Sequence, residues 1–403
     1  MAENGQDPKL RKFHAEVDLV LRTHPDIAIS PDNWREAGDF DYLYRKSQVL
    51  VADRDLERAL PLLRGAEVVD SLAVGVNVLQ GPDEDIRPLL DHIDGRLGPG
   101  VVTPNHILEL CPRAGMCPAT EPLLPATADP WPAVAAVREG KGIRVAVVDT
   151  GFLIERLDKP WLAGVIVDPA DIEDPDSWPA PDGFIDPYAG HGTFIAGVIR
   201  CIAPGAEVSV EQVIDRAGVV TESDLIRQLD DALAKSPDVI SFSAGCYTRR
   251  NVPPKGFVEF YENRLRHHKG VVLVAAAGND ATRTPFWPAA FPWAISVGAL
   301  DAAGRERAYF TNFGGWVDVY APGVALVNAY ATGAYRSVVD PSVVTEFDGM
   351  CEWSGTSFST PVVAGLIAAR MARAGENGQR AAHQLLKAAR IQAIPGVGPR
   401  LWF

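Results

Sequence analysis

Cysteine is scarce in this chain and scattered. Its five cysteines, Cys111, Cys117, Cys201, Cys246 and Cys351, are an odd number with no Cys-x-x-Cys pair, which argues against a disulfide framework and a thiolate zinc site. Free thiols are the expectation, with a Cys111–Cys117 bridge as the alternative in an oxidising compartment. Basic residues are in deficit: 38 Lys and Arg stand against 52 Asp and Glu, for a net charge of -14. A surface of that sign repels phosphate backbones and anionic headgroups, so neither nucleic acid nor a membrane is the expected partner. No apolar run reaches the roughly 18 residues of a membrane span. The opening "MAENGQDPKLRKFHAEVDLVLRTHPD" holds no apolar leader either. Cytoplasmic residence is expected on those grounds, with export by a non-standard route left open. What remains, 47% apolar and 22% charged residues in 403, suits ordinary globular domains, and the length allows two.

Periodicity divides the chain into four parts. Residues 1–47 hold an amphipathic helix, "PKLRKFHAEVDLVLRTH", with Leu10, Phe13, Val17, Val20 and Leu21 at helical spacing, and then a polar stretch. Residues 48–110 read strand, helix, strand, strand, helix, strand: "QVLVA", "RDLERALPLLRG", "EVVDS", "AVGVNVLQ", "DEDIRPLLDHIDGRLG" and "VVTPNHILEL". That order folds as a small α+β unit, two helices on one face of a four-stranded antiparallel sheet, in the ferredoxin-like manner. Residues 111–130 are rich in proline and read as an extended, exposed linker. From residue 131 to 403 the pattern is α/β. "IRVAVVD", "EVSVEQVI", "VISFSAG", "VVLVAAAG", "AISVGAL" and "VDVYAPG" are short apolar runs separated by helical segments. They predict a parallel sheet with helices on both faces, whose ligands bind beyond the carboxyl ends of the strands.

Four polar residues fall at such ends. Asp149 closes "IRVAVVD" and can orient an imidazole, or simply form a turn. His191, between Gly190 and Gly192, precedes an apolar helix and reads as a general base or as a turn residue. Asn279 follows "VVLVAAAG" and can donate to an oxyanion, although Gly-Asn is also ordinary turn chemistry. Ser357 lies in "GTSFSTPVVAG" and reads as a nucleophile at a helix N-terminus or as a helix cap.

In this order and context, "VAVVDTG", "GHGTFIAGVI", "AAAGND" and "GTSFSTPVVAG" resemble the aspartate, histidine, asparagine and serine boxes of the subtilisin-like serine peptidases (peptidase S8). The resemblance implies Ser357 as nucleophile, His191 as general base and then acid, Asp149 as its orienting group and Asn279 as oxyanion donor. It also implies that Ser243, Ala244 and Gly245 bind substrate backbone, and that the substrate is a polypeptide. By pattern, residues 48–110 resemble the inhibitory propeptide domain of these peptidases. They would then be an intramolecular inhibitor, with self-cleavage expected between Cys111 and Pro130. Two departures from the family pattern, "DTGFLIERLDKPW" after Asp149 and Pro361-Val362 in the serine box, bear on fine specificity. The segment Asn328–Cys351 is an unusual insertion. No cofactor or metal is required. The acidic stretch "DPADIEDPDSWPAPDGFIDP" is expected to be a solvated loop, with a cleft lining that favours basic substrates and a calcium site as alternatives. Two competing readings remain, a catalytically idle peptide-binding protein that keeps the groove, and a serine hydrolase or acyl transferase acting on a non-peptide substrate.

Overall fold

The computed structural model describes residues 8–63, 65–82, 85–110, 119–177 and 181–402. Its six expected apolar runs form strands Arg144–Asp149, Glu207–Gln212, Val239–Phe242, Val272–Ala276, Ala294–Leu300 and Val319–Pro322. With a short seventh strand, Val165–Ile166, they make one parallel sheet. Arg144–Asp149 lies inside it, between Val239–Phe242 and Glu207–Gln212. Successive strands thus leave it in opposite directions, and the crevice beyond its carboxyl end is where such sheets place a ligand.

Alternation along that strand divides the core. Val145 and Val147 pack with Ile195, Ile199, Val363 and Ile367, from helices His191–Ile202 and Thr356–Ala374. Ala146 and Val148 face Leu225, Leu229 and Phe260, from helices Glu222–Ala234 and Lys255–Asn263 on the other side. Two buried sheet faces explain why the runs are almost continuously apolar.

The unusual insertion is a β-hairpin, Leu326–Arg336 against Val344–Trp353, joined by Phe184–Ile185. Its inner aromatic side chains, Tyr330, Phe347 and Trp353, are buried.

Before residue 110 the observed order is strand Tyr42–Ala52, short helix Leu56–Ala59, strands Glu67–Leu72 and Val76–Gln80, helix Ile86–Leu97 and strand Val102–Glu109. The first helix is shorter than its periodicity predicts, because Pro61 lacks the amide hydrogen that would continue it. The antiparallel sheet extends past the expected four strands. Ile27–Ser30 adds alongside Tyr42–Ala52, and Val219–Thr221 pairs with Val102–Glu109. Its two faces are both covered. Val49, Val51 and Leu79 meet the unit's own Ile86, Leu90 and Ile93, while Leu50, Val76 and Val78 meet Leu225, Ile226, Phe257 and Phe260.

Ion pairs fasten the same seam. Arg249 reaches Asp94 at 2.6 Å and also Asp91, and Arg250 reaches Asp94 at 2.9 Å and Asp91 at 2.8 Å. Arg54 meets the buried Glu259 at 2.5 Å.

The opening helix is present as Pro8–Thr23. Phe13, Val17 and Val20 pack on Ile107, Ala217 and Val219, and His24 meets Asp215 at 2.5 Å. That contact with Asp215 raises the His24 pKa above the usual histidine value and the Asp26 charge adds to it, while burial and Arg45 oppose it. A raised folded pKa means stability present at low pH and lost as pH climbs through it. Protection factors of the amides in residues 8–30, corrected for the intrinsic pH dependence of exchange, are therefore expected to be higher at pH 6 than at pH 8, and His24→Ala should remove the difference. Equal protection at both pH values in the wild type would refute this.

Residues 119–130 run extended and largely exposed, as expected of the linker, but they are bonded to the insertion hairpin and the approach to the serine helix; residues 111–118 lie outside the described residues. Ala119 donates its N–H to the Ser354 carbonyl (2.9 Å), Leu123 pairs with Glu352, and Trp131 pairs with Val327. The Glu121 carboxylate accepts from Tyr335, Ser337 and the Val338 N–H. Prolines bar a continuous ladder but allow isolated bridges between them.

Candidate active site

The aspartate and histidine meet through two close backbone approaches. Gly190 caps helix His191–Ile202 in the left-handed region, at φ 80°, where a side chain is strained. A Cβ on Gly192 would stand 2.5 Å from the Gly151 carbonyl oxygen, so only glycine lets this helix start abut the aspartate loop. The outcome is a buried pair in which His191 Nδ1–H donates to Asp149 Oδ1 at 2.6 Å, both side chains being 0% exposed. Thr150 N–H donates to the same oxygen at 2.8 Å. His191 Nε2, at the opposite side of the ring, is buried without a hydrogen-bond partner. Trp353 stands perpendicular to the imidazole at 5.7 Å between ring centres, and Phe358 lies 5.4 Å away. The insertion hairpin therefore walls the imidazole, and Phe358 links it to the serine helix.

Ser357 is not a helix cap. The N-cap of Thr356–Ala374 is Gly355, which has no side chain to cap that end. Pro361 has no N–H to give to the carbonyl four residues back, which is that of Ser357. The freed carbonyl accepts the Ser243 hydroxyl at 2.9 Å instead. In return the Ser357 hydroxyl donates to the Ser243 carbonyl at 3.2 Å. The serine hydroxyl thus rests on the strand edge rather than on His191. Catalytic hydrogen bonds of this kind are often loose without substrate.

Asn279 sits beside the same helix start. Its Oδ1 accepts both the N–H and the hydroxyl of Thr356, each at 2.9 Å. Two donors on the oxygen fix the orientation of the amide and set its Nδ2 on the other side.

Ser243–Gly245 extend strand Val239–Phe242 and form one wall of a slot whose other wall is Val219–Thr221. Glu109 fills the slot. It exchanges backbone hydrogen bonds with Gly245 at 2.8 and 3.0 Å and stands opposite Val219. Leu110 N–H donates to the Gly218 carbonyl at 3.0 Å. Sequence reading missed the second wall, although "GVV" before the capping Thr221 is a short apolar run. It also missed Thr356 and Thr150, whose hydroxyls orient neighbouring groups.

The acidic stretch is corrected in part. Asp171, Glu173 and Asp186 are buried, while Asp168 and Asp176 hold local turns by accepting backbone N–H groups. Among the described residues no group of three His, Cys, Asp or Glu could hold a metal ion. Cys201, Cys246 and Cys351 are buried free thiols, and burial pushes their pKa values up; Cys111 and Cys117 lie outside the described residues.

Residues 140–395 match the subtilase family, peptidase S8. The chain is 33% identical over 248 residues to a thermophilic serine proteinase of Bacillus sp. (strain AK1), covering 59% of this chain and 53% of that one. It is 32% identical over 240 residues to thermitase of Thermoactinomyces vulgaris, covering 57% and 75%. It therefore spans about half the length of the first of these relatives. Fervidolysin from Fervidobacterium pennivorans, at 22% identity, shares the fold with a TM-score of 0.59 over 89% of this chain and 60% of that one. The cytoplasmic expectation is overturned by the same comparison, because the subtilisins that the chain matches are secreted, extracellular proteins. It rested on the missing apolar leader, and where a sequence begins does not report its compartment. With its family match spanning more than half of its residues, the chain belongs to the subtilase family of serine endopeptidases.

Proposed function

We propose that the protein hydrolyses polypeptides through an acyl-enzyme on Ser357 and is made with its own inhibitor. The observation that carries this is the buried Asp149–His191 hydrogen bond with Nε2 left unpartnered, beside the helix that presents Ser357. Ser357 attacks the scissile carbonyl while neutral His191 takes its proton. The Asn279 amide and the Ser357 N–H hold the oxyanion, His191 then protonates the leaving amine, and water reverses the sequence. Substrate adds as a strand between Val219–Thr221 and Ser243–Gly245.

Residues 48–110 act as the inhibitor in this reading, because Glu109 already occupies that slot. The chain enters the site at Leu110 and is next described at Ala119, bonded to Ser354 three residues ahead of Ser357. Self-cleavage in the window from Cys111 to Pro130 would free the groove. Loosening the inhibitor should do the same. Arg249→Ala with Arg250→Ala leaves the buried Asp94 without its partners, at a cost of about 3–5 kcal/mol. A higher initial rate on a short fluorogenic peptide is the expected result, and an unchanged rate would rule out this clamp.

One observation favours an idle peptide binder, namely that the Ser357 hydroxyl bonds Ser243 rather than His191. A fluorophosphonate probe with unfolded casein decides between the two. Labelling at Ser357 with casein cleavage is expected, whereas a mature protein that binds peptide but takes no label would be the binder. Turnover of a small ester without casein cleavage would mean a non-peptide substrate.

A further inference from the structure

Glu173 belongs to none of the four motif boxes and comes from the acidic stretch expected to lie in solvent. Its side chain is 0% exposed. Oε2 accepts the Gly190 N–H at 3.0 Å and the Thr150 hydroxyl at 3.4 Å. Thr150 Oγ1 in turn accepts the Gly192 N–H at 3.1 Å. Gly190 and Gly192 flank His191, and Thr150 follows Asp149, to whose Oδ1 it donates. One carboxylate therefore holds both sides of the histidine backbone and the residue after the aspartate. Its own backbone is fixed by a bond from Glu173 N–H to the Phe152 carbonyl at 2.9 Å.

Oε1 meets Arg216 Nη1 at 2.6 Å, while Arg216 Nε faces Ser177 at 3.2 Å and Asp186 at 3.7 Å. A carboxylate in such a place is costly. Burial pushes its pKa above the usual carboxylate range, against Arg216 and the Gly190 N–H, which lower it, and with Asp149, which raises it. A loop turn alone needs no buried ion pair, since an apolar side chain would fill the space at less desolvation cost.

We propose that Glu173, anchored by Arg216, is a positioning residue that sets the Asp149–His191 pair for proton transfer. It acts through Thr150 and the two glycines and touches no substrate. The proposal rests on the peptidase reading above.

The test uses full chains, each activated in trans by a trace of wild-type enzyme, with Ser357→Ala treated alike as background. Active sites are counted with fluorophosphonate, so that kcat refers to folded, reactive protein. Glu173→Ala is expected to lower kcat per labelled site by about 10²-fold, the size of effect that misplacing a catalytic group by ~1 Å produces. KM should stay within about twofold, since the substrate strand is untouched. Glu173→Gln keeps an acceptor for Gly190 but loses the charge facing Arg216, and should fall between the two. An unchanged kcat per labelled site in Glu173→Ala, even with a lower yield or melting temperature, would reduce Glu173 to a structural role and overturn the proposal. Glu173→Gln equal to Glu173→Ala would equally remove the Gly190 contact from the explanation. A wild type that neither cleaves nor labels would instead sink the peptidase reading itself.

Discussion

Ser357→Ala is expected to lower kcat on an unfolded protein substrate by about 10⁶-fold, to the residue of rate that oxyanion stabilisation and binding supply alone. The magnitude is known from a member of this same family and is not deduced from distances in this chain. What the geometry contributes is the reason for so large a loss. His191 offers one unpartnered nitrogen inside a wall of Trp353 and Phe358, so without the hydroxyl it has no nucleophile's proton to take. The same substitution should keep the chain intact by mass spectrometry, whereas wild type shortens at a bond between Cys111 and Pro130. Two identical intact masses would leave residues 48–110 as a retained domain and remove self-processing, while the peptidase reading would stand or fall on the kinetics.

Stability should change little in Ser357→Ala, and this separates chemistry from folding. The serine hydroxyl makes one bond, to the Ser243 carbonyl at 3.2 Å, worth about 1 kcal/mol in such a place. The companion bond from Ser243 to the Ser357 carbonyl does not involve the hydroxyl.

The parallel sheet was legible because burial on two faces makes strands nearly continuous apolar runs, as in Val145–Val148 with its faces shared between two helix layers. The site was legible for a different reason. Glycines at Gly190 and Gly192 mark a helix start pressed against another loop, and such close approach tolerates few alternatives. Less could be read where a residue's partner is remote. Glu173 and Arg216 lie 43 residues apart, and a carboxylate amid prolines and aspartates carries no local mark of burial. The sheet around Val102–Glu109 also hid its last strand, since Val219–Thr221 is short and pairs only across the fold. Pro61 was visible, but the helical periodicity around it was stronger than the single breaker and led to too long a helix. The hairpin Leu326–Trp353 was missed because its two strands mix buried and exposed positions without strict alternation.

Asn279→Ala should lower kcat by about 10²–10³-fold, or ~2.7–4 kcal/mol, with KM within about twofold. The range comes from an asparagine in another subtilase, while its application here depends on one detail of this chain. Thr356 satisfies the amide oxygen twice, so the amide cannot flip without burying two unpaired donors. That makes Thr356→Val informative. It removes one donor to Oδ1 and leaves the backbone N–H, so the amide is held less firmly and kcat should fall by less than in Asn279→Ala. In the double variant most of the Thr356 effect should vanish, because the orientation of an absent amide cannot matter. Additive losses would mean that Thr356 acts on the serine helix directly and not through Asn279. A loss confined to KM would mean that Asn279 contributes to ground-state binding, which would take the oxyanion out of its role.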